Sequence, residues 1–113
     1  MSKNYKPALT DLKKLNDFIC ARREFSFQSF GSPEVRGPVP VLTHLKEEVQ
    51  ELIEQPTDLM EWADCLLLLT DAADRAGLSI EDLIDAATLK LEINKKRTWE
   101  KGADGVFRHT NVE

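Results

Sequence analysis

The sequence predicts an all-α protein, a small helical bundle of about four helices, and three observations carry that expectation. Apolar residues recur at helical spacing in four separate segments. Strand-like alternation is nearly absent. The segments are parted by helix punctuation: Gly31-Ser32-Pro33, Gly37-Pro38-Val39-Pro40, Pro56 and Gly77. At 113 residues, 42% hydrophobic and 31% charged, the chain suits one globular domain over 1–113, with tails at 1–7 and 100–113. One copy supplies little core, so oligomerisation is expected to complete it.

The first helix is expected over about 8–24, with Leu9, Leu12, Leu15, Phe18 and Ile19 on one face. The stretch FSFQSFGSPEVRGPVPV, residues 25–41, breaks the pattern and reads as a structured loop or short helical turns. A second helix follows over about 42–55 on Leu45, Val49, Leu52 and Ile53, and Pro56 stops it. Thr57 or Asp58 can cap the third helix, which runs to Ala76, where Gly77 supplies the left-handed turn that ends helices. Ser79 then caps a fourth, with Asp82 at the capping-box position. That helix uses Ile80, Leu83, Ile84, Ala87 and Leu91 and is expected to reach about Trp99, leaving a tail with a turn at Asp104-Gly105. Trp62 and Trp99 are expected in the core or at an interface.

Composition excludes several classes of function. The longest apolar run, Cys65 to Leu69, is far short of a membrane span, and the amino terminus lacks the apolar segment of a secretory signal. A cytoplasmic location is the expectation. Cys20 and Cys65 are the only cysteines, too few for a disulfide framework or a thiolate zinc site, and each reads as a small core residue. A net charge of −5 argues against nucleic acid as a partner. The charge is also unevenly placed: from His44 to Asp85 twelve Asp and Glu face two Lys and Arg, whereas from Ala86 to Lys101 five Lys and Arg face two Glu. Such an arrangement suits a ligand that brings both cations and phosphates, and solvated helix faces would give a similar count.

The acidic stretch has internal order. Glu48 and Glu51 share one side of the second helix with His44 and Gln55, bordering the apolar stripe. Glu61 and Asp64 have the same three-residue spacing on the third helix. The link between these helices is short, which makes them antiparallel neighbours and sets the two carboxylate pairs across one groove. Four carboxylates so placed repel unless a cation lies between them. An oxygen-only donor set suits Mg²⁺ or Mn²⁺. The competing account, solvated glutamates on amphipathic helices, fits any one of these residues better than it fits the ordered set. A di-iron carboxylate bundle needs Glu-x-x-His motifs that this chain lacks, and His44 reads as an outer partner or a surface residue.

On the fourth helix Lys90, Asn94 and Arg97 follow i, i+4, i+7 spacing and continue the Leu83-Ala87 face. Phosphate oxygens would partner such a row. The attraction of basic residues to a helix carboxyl end is the other account, and the residues alone leave both open.

Taken in order, EEVQE, EWAD and KLEINKKR resemble the MazG-like branch of the all-α nucleoside triphosphate pyrophosphohydrolases. The segments REFSFQSFG, HLKEEVQELIEQPTDLMEWADCLLLLTDAADRAG and NKKRTW are similar, more narrowly, to the phage-type dATP/dGTP pyrophosphohydrolases, over residues 22–110. The resemblance implies cleavage between the α- and β-phosphates of purine deoxynucleoside triphosphates, with Mg²⁺ or Mn²⁺. It implies metal ligation by Glu48, Glu51, Glu61 and Asp64, and triphosphate binding by Lys90, Asn94 and Arg97. Glu47 matches the first motif glutamate and joins Glu48 and Glu51 as a catalytic candidate, as outer partner or water activator. Only nine residues separate Glu51 from Glu61, a shorter hairpin than MazG domains typically have. The resemblance also implies a homodimer or homotetramer, in the host cytoplasm if the chain is of phage origin.

Base recognition is expected from Phe27, Gln28 and Phe30, by stacking and hydrogen bonding, while Phe25 reads as an anchor of the irregular loop. The reading from another class is a non-enzymatic helical interaction module with a degenerate carboxylate site. Dependence on metal separates the two.

Overall fold

The structure, a computed structural model, describes residues 9–110. The expected tail at 1–7 lies outside them. Four helices are present, α1 (Leu9–Phe30), α2 (Pro38–Glu54), α3 (Leu59–Arg75) and α4 (Ile80–Lys95), followed by two short strands, β1 (Trp99–Lys101) and β2 (Phe107–His109). They form two compact units, Met1–Ile80 and Glu81–Glu113.

In the first unit α3 packs along α2 and against α1. The ends of α3 follow from local chemistry. The Asp58 carboxylate accepts the Met60 amide at 3.0 Å at its start, and Gly77, at φ +84°, turns the chain so that the Leu78 amide reaches the Ala73 carbonyl at its end. The Trp62 indole donates to the Pro56 carbonyl and fixes the α2–α3 link, leaving the ring 56% exposed rather than in the core.

Two boundaries differ from the sequence expectation. α1 runs six residues beyond 24, to Phe30, and closes at Gly31, whose φ of +101° favours glycine. α2 begins at Pro38, four residues before Leu42. Prolines in the first turn of a helix remove only amides that have no acceptor there, so Pro38 and Pro40 start α2 instead of breaking it.

The cause of the longer α1 lies 45 positions along the chain from Phe30. Arg75, with its side chain wholly buried, donates Nε to Asp71, Nη1 to the carbonyls of Gly31 and Arg36, and Nη2 to the carbonyl and hydroxyl of Ser26. Its guanidinium also lies over the Phe27 ring, 5.1 Å from the centroid. The last turn of α1 and the following loop thus find partners on α3 that no local pattern records. Beside it Arg22 joins α1 to Asp71 at 3.3 Å and to Asp74 at 2.7 Å, and Arg23 adds a second bond to Asp74 at 2.7 Å.

Burial opposes the charge on Asp74, but the hydrogen bonds from Arg23 and Arg22 outweigh it and hold the carboxyl below its ordinary range. Its unfolded counterpart titrates near about 3.9, so this contribution is complete above that pH and is lost as pH falls through the lower folded value. Asp74→Asn is therefore expected to lower stability at neutral pH and to flatten the loss of stability below about pH 4, read by urea unfolding at successive pH values. An unchanged acid limb would refute the assignment.

In the second unit α4 ends at Lys95, short of the expected Trp99. The Lys96 and Arg97 amides close tight three-residue turns onto Ile93 and Asn94, and the Trp99 indole donates to the Asn94 carbonyl at 3.0 Å. Residues expected as a plain tail form a β-hairpin in which Trp99 pairs with His109 and Lys101 with Phe107. Its turn holds the expected Asp104-Gly105. Asp104 accepts the Val106 amide and is bridged to Arg108 at 3.0 Å, and Gly105 takes φ +85°.

Buried apolar side chains among the described residues are few: Ile19, Val41 and Ala72. Cys20 is exposed and not in a core. α4 buries no side chain, and Leu66, Leu67 and Leu69 on α3 and Ile84, Leu89 and Leu91 on α4 are all exposed. Among the described residues no helix is long and apolar enough to cross a membrane.

Candidate active site

The three-residue spacing of the acidic pairs brings carboxylates from α2 and α3 together. Oxygens of Glu48, Glu51 and Glu61 all lie within 4.8 Å of one another. Glu48 and Glu61 are half-buried and Glu51 is exposed. Oε2 of Glu61 is buried with no hydrogen-bond partner, a costly arrangement for an oxygen that can accept two bonds.

The electrostatics carry the same crowding. A hydrogen bond shared with the Glu51 carboxyl, then burial, then the charges of Glu51 and Asp64 push Glu48 above the ordinary carboxylate range, against the opposing bond from His44. Burial, then the charges of Glu51, Asp58 and Asp64 push Glu61 the same way. The Cys65 thiol is raised too, by burial and then by the surrounding carboxylates. Glu48 and Glu61 thus resist ionisation through burial and the negative charge around them, and a bound cation would reverse that.

The sequence-predicted residues are placed as follows. Glu48, Glu51 and Glu61 form the cluster; Asp64 is exposed and stands beside it, near enough to act on both Glu48 and Glu61. Glu47 is exposed and outside the cluster. His44, 55% exposed at its side chain, meets Glu48 Oε1 at 3.2 Å. In the second unit the Arg97 side chain donates to Asn94 Oδ1 at 3.2 Å, and its Nε is buried without a partner. Because α4 ends at Lys95, Arg97 reaches Asn94 from the following turn and does not continue a helical row from Lys90, which is exposed.

A cavity of about 440 Å³ adjoins the cluster, with Glu48 and Asp64 among its lining residues. Its apolar wall includes Phe18, Phe25, Phe30, Leu67 and Leu68, and its polar groups include Arg22, Ser26 and Asp71. The aromatic expectations are therefore redistributed. Phe30 lines the cavity and meets Phe25 edge to face at 5.8 Å. Phe27 is instead beneath Arg75, and Gln28 is exposed and outside the lining. Sequence reasoning missed Phe25, Arg22 and Asp71. Helical phase was the available signal: in a helix Phe25 shares a face with Phe18, Arg22 and Ser26, and Phe27 does not.

Helices bearing a facing carboxylate cluster place the chain in the MazG-like all-α class. The fold agrees: the MazG-like pyrophosphohydrolase of cyanophage S-2L, solved bound to dGDP and three catalytic Mn²⁺ ions per active site, superposes with a TM-score of 0.71 at 28% identity, covering 93% of this chain and 100% of that one. The chain belongs to the dATP/dGTP pyrophosphohydrolase family, which it matches over residues 19–112. The dATP/dGTP diphosphohydrolase of cyanophage S-2L is 37% identical over 76 residues, 66% of this chain and 70% of that protein. The Eaa protein of Salmonella phage P22 is 45% identical over 82 residues, 73% of this chain and 25% of that protein. The match thus spans a quarter of the length of the P22 relative.

Proposed function

We propose that the chain hydrolyses purine deoxynucleoside triphosphates, dATP and dGTP foremost, to nucleoside monophosphate and pyrophosphate. The observation that carries this reading is the convergence of Glu48, Glu51 and Glu61 within 4.8 Å, with one buried oxygen of Glu61 unpartnered. An all-oxygen donor set with surplus negative charge fits Mg²⁺ or Mn²⁺, and the S-2L relative is named with Mn²⁺. In this reading Glu48, Glu51 and Glu61 hold the cations, and Asp64 completes the set. When bound, the cations acidify water and neutralise the leaving pyrophosphate.

The chain's own residues supply the rest. Glu47, exposed on α2 outside the cluster, serves as an outer partner of the metal ligands or takes the proton of the attacking water. The Phe25 and Phe30 rings offer apolar surface to the base. Lys90, Asn94 and Arg97 bind the triphosphate; the buried, unpartnered Arg97 Nε supports that role, because it is a donor in want of an acceptor. The phage relatives support a site of action in the host cytoplasm.

A panel of eight ribo- and deoxynucleoside triphosphates, assayed for pyrophosphate with Mn²⁺, tests the reading. Release from dATP and dGTP is expected to exceed that from the pyrimidines. Inorganic phosphate as the main product, or equal turnover of dCTP, would refute it.

A homodimer or homotetramer belongs to the same reading, supported by an α4 that buries nothing and by exposed leucines on α3 and α4. The native mass in light scattering is expected at two or four times the 12.8 kDa protomer. A monomer at micromolar concentration would overturn this.

A further inference from the structure

Arg22 and Arg75 stand side by side on Asp71, yet their donors are engaged very differently. A guanidinium carries five N–H groups and no acceptor. Arg75 makes five hydrogen bonds within the protein and has none left. Arg22, with a side chain only 4% exposed, makes two, and its buried Nε meets no acceptor. Of the two, Arg22 is the one that lines the 440 Å³ cavity, beside Phe18, Phe25 and Phe30. Nη1 and Nη2 of Arg22 each make one hydrogen bond and so keep an N–H to spare at the wall of this cavity, and a buried donor is costly until an acceptor is supplied.

We propose that Arg22 is a specificity-determining residue that donates to N7 of a purine base seated in this cavity. The inference rests on the reading above that purine deoxynucleotides are the substrates. Adenine and guanine both carry an acceptor at N7, and pyrimidines have no counterpart there. N3, the other acceptor common to both purines, lies on the sugar side of the ring. Asp71 and Asp74 hold the guanidinium from α3, and Arg75 acts as a positioning residue by fixing Asp71 and Ser26.

The test uses the unmodified protein with Mn²⁺ and compares dATP and dGTP with their 7-deaza analogues, in which N7 becomes C–H. A charged hydrogen bond of this kind predicts a KM on the order of tenfold to a hundredfold higher for the analogues, with kcat little changed. Equal KM values would overturn the proposal, as would a penalty on 3-deaza-dATP that 7-deaza-dATP escapes. In Arg22→Lys, which keeps a cation beside both aspartates, the preference for dATP over 7-deaza-dATP is expected to collapse toward unity; its persistence in a folded variant would count against Arg22. If dATP is not turned over at all, the functional reading fails. The cavity is then judged by the Kd of α,β-methylene-dATP against its 7-deaza form, where equal binding overturns the N7 contact independently.

Discussion

Replacing Glu61 by Gln is expected to reduce pyrophosphate release from dATP by several orders of magnitude while leaving the helical fold intact. The substitution preserves shape and helix propensity but removes one of three converging charges. A weakened cation site loses water activation and leaving-group stabilisation together, so kcat should fall far more than KM rises. The metal-free proteins should differ in the opposite sense. Burial, then the charges of Glu51, Asp58 and Asp64, push the Glu61 carboxyl upward, so a neutral side chain relieves both costs, and the metal-free variant should melt above the metal-free parent. Millimolar Mn²⁺ with nucleotide should raise the parent's melting temperature much more than the variant's, since only a bound ligand shifts the folding equilibrium. Near-parental turnover in a folded Glu61→Gln protein would leave the cluster without a catalytic role.

The second large effect concerns stability. Arg75→Met removes the cation that satisfies Asp71, Ser26, Gly31 and Arg36 at once. Breaking a buried ion pair from one side costs about 3–5 kcal/mol; here Asp71 keeps only Arg22 at 3.3 Å, and the acceptors on Ser26, Gly31 and Arg36 lose their donor. In a domain of this size that corresponds to a melting temperature lower by at least ~10 °C. Arg75→Lys should recover little, since an ammonium cannot reach five acceptors in a planar fork. A shift of only ~1–2 °C for Arg75→Met would show that the network contributes little beyond packing.

What was legible in the sequence follows from how local its cause is. α2 and α3 declared themselves through apolar stripes and an Asp58 cap, and the carboxylate pairs through i, i+3 spacing that places side chains on one helical edge. α1 past residue 24 was illegible because Arg75 determines it from the far end of α3. Reading 25–41 as a loop also discards helical phase, which in α1 puts Phe25 and Phe27 on different faces. Pro38 and Pro40 have opposite meanings inside a helix and at its start, and only the register of the first turn tells them apart. The hairpin strands, three residues each, are too short for alternation to be seen. Arg22, Asp71 and Asp74 carry no signal in the sequence, because ion pairing across 49 to 52 positions leaves no periodic trace.

The Arg75 network also sets how the protein responds to ionic strength. Mobile ions weaken attractions between charges that water can reach, over a Debye length of about 8 Å at physiological salt. Lys13–Asp17 and Lys95–Glu92, with side chains more than half exposed, are open to that screening. Arg75 is not, since no counterion can approach a guanidinium whose every donor already points at protein oxygen. The joint between α1 and α3 therefore stays in place from dilute buffer to concentrated salt, whereas the exposed pairs weaken across the same range. Salt loosens the pairs at the surface and leaves the packing of α1 on α3 unchanged.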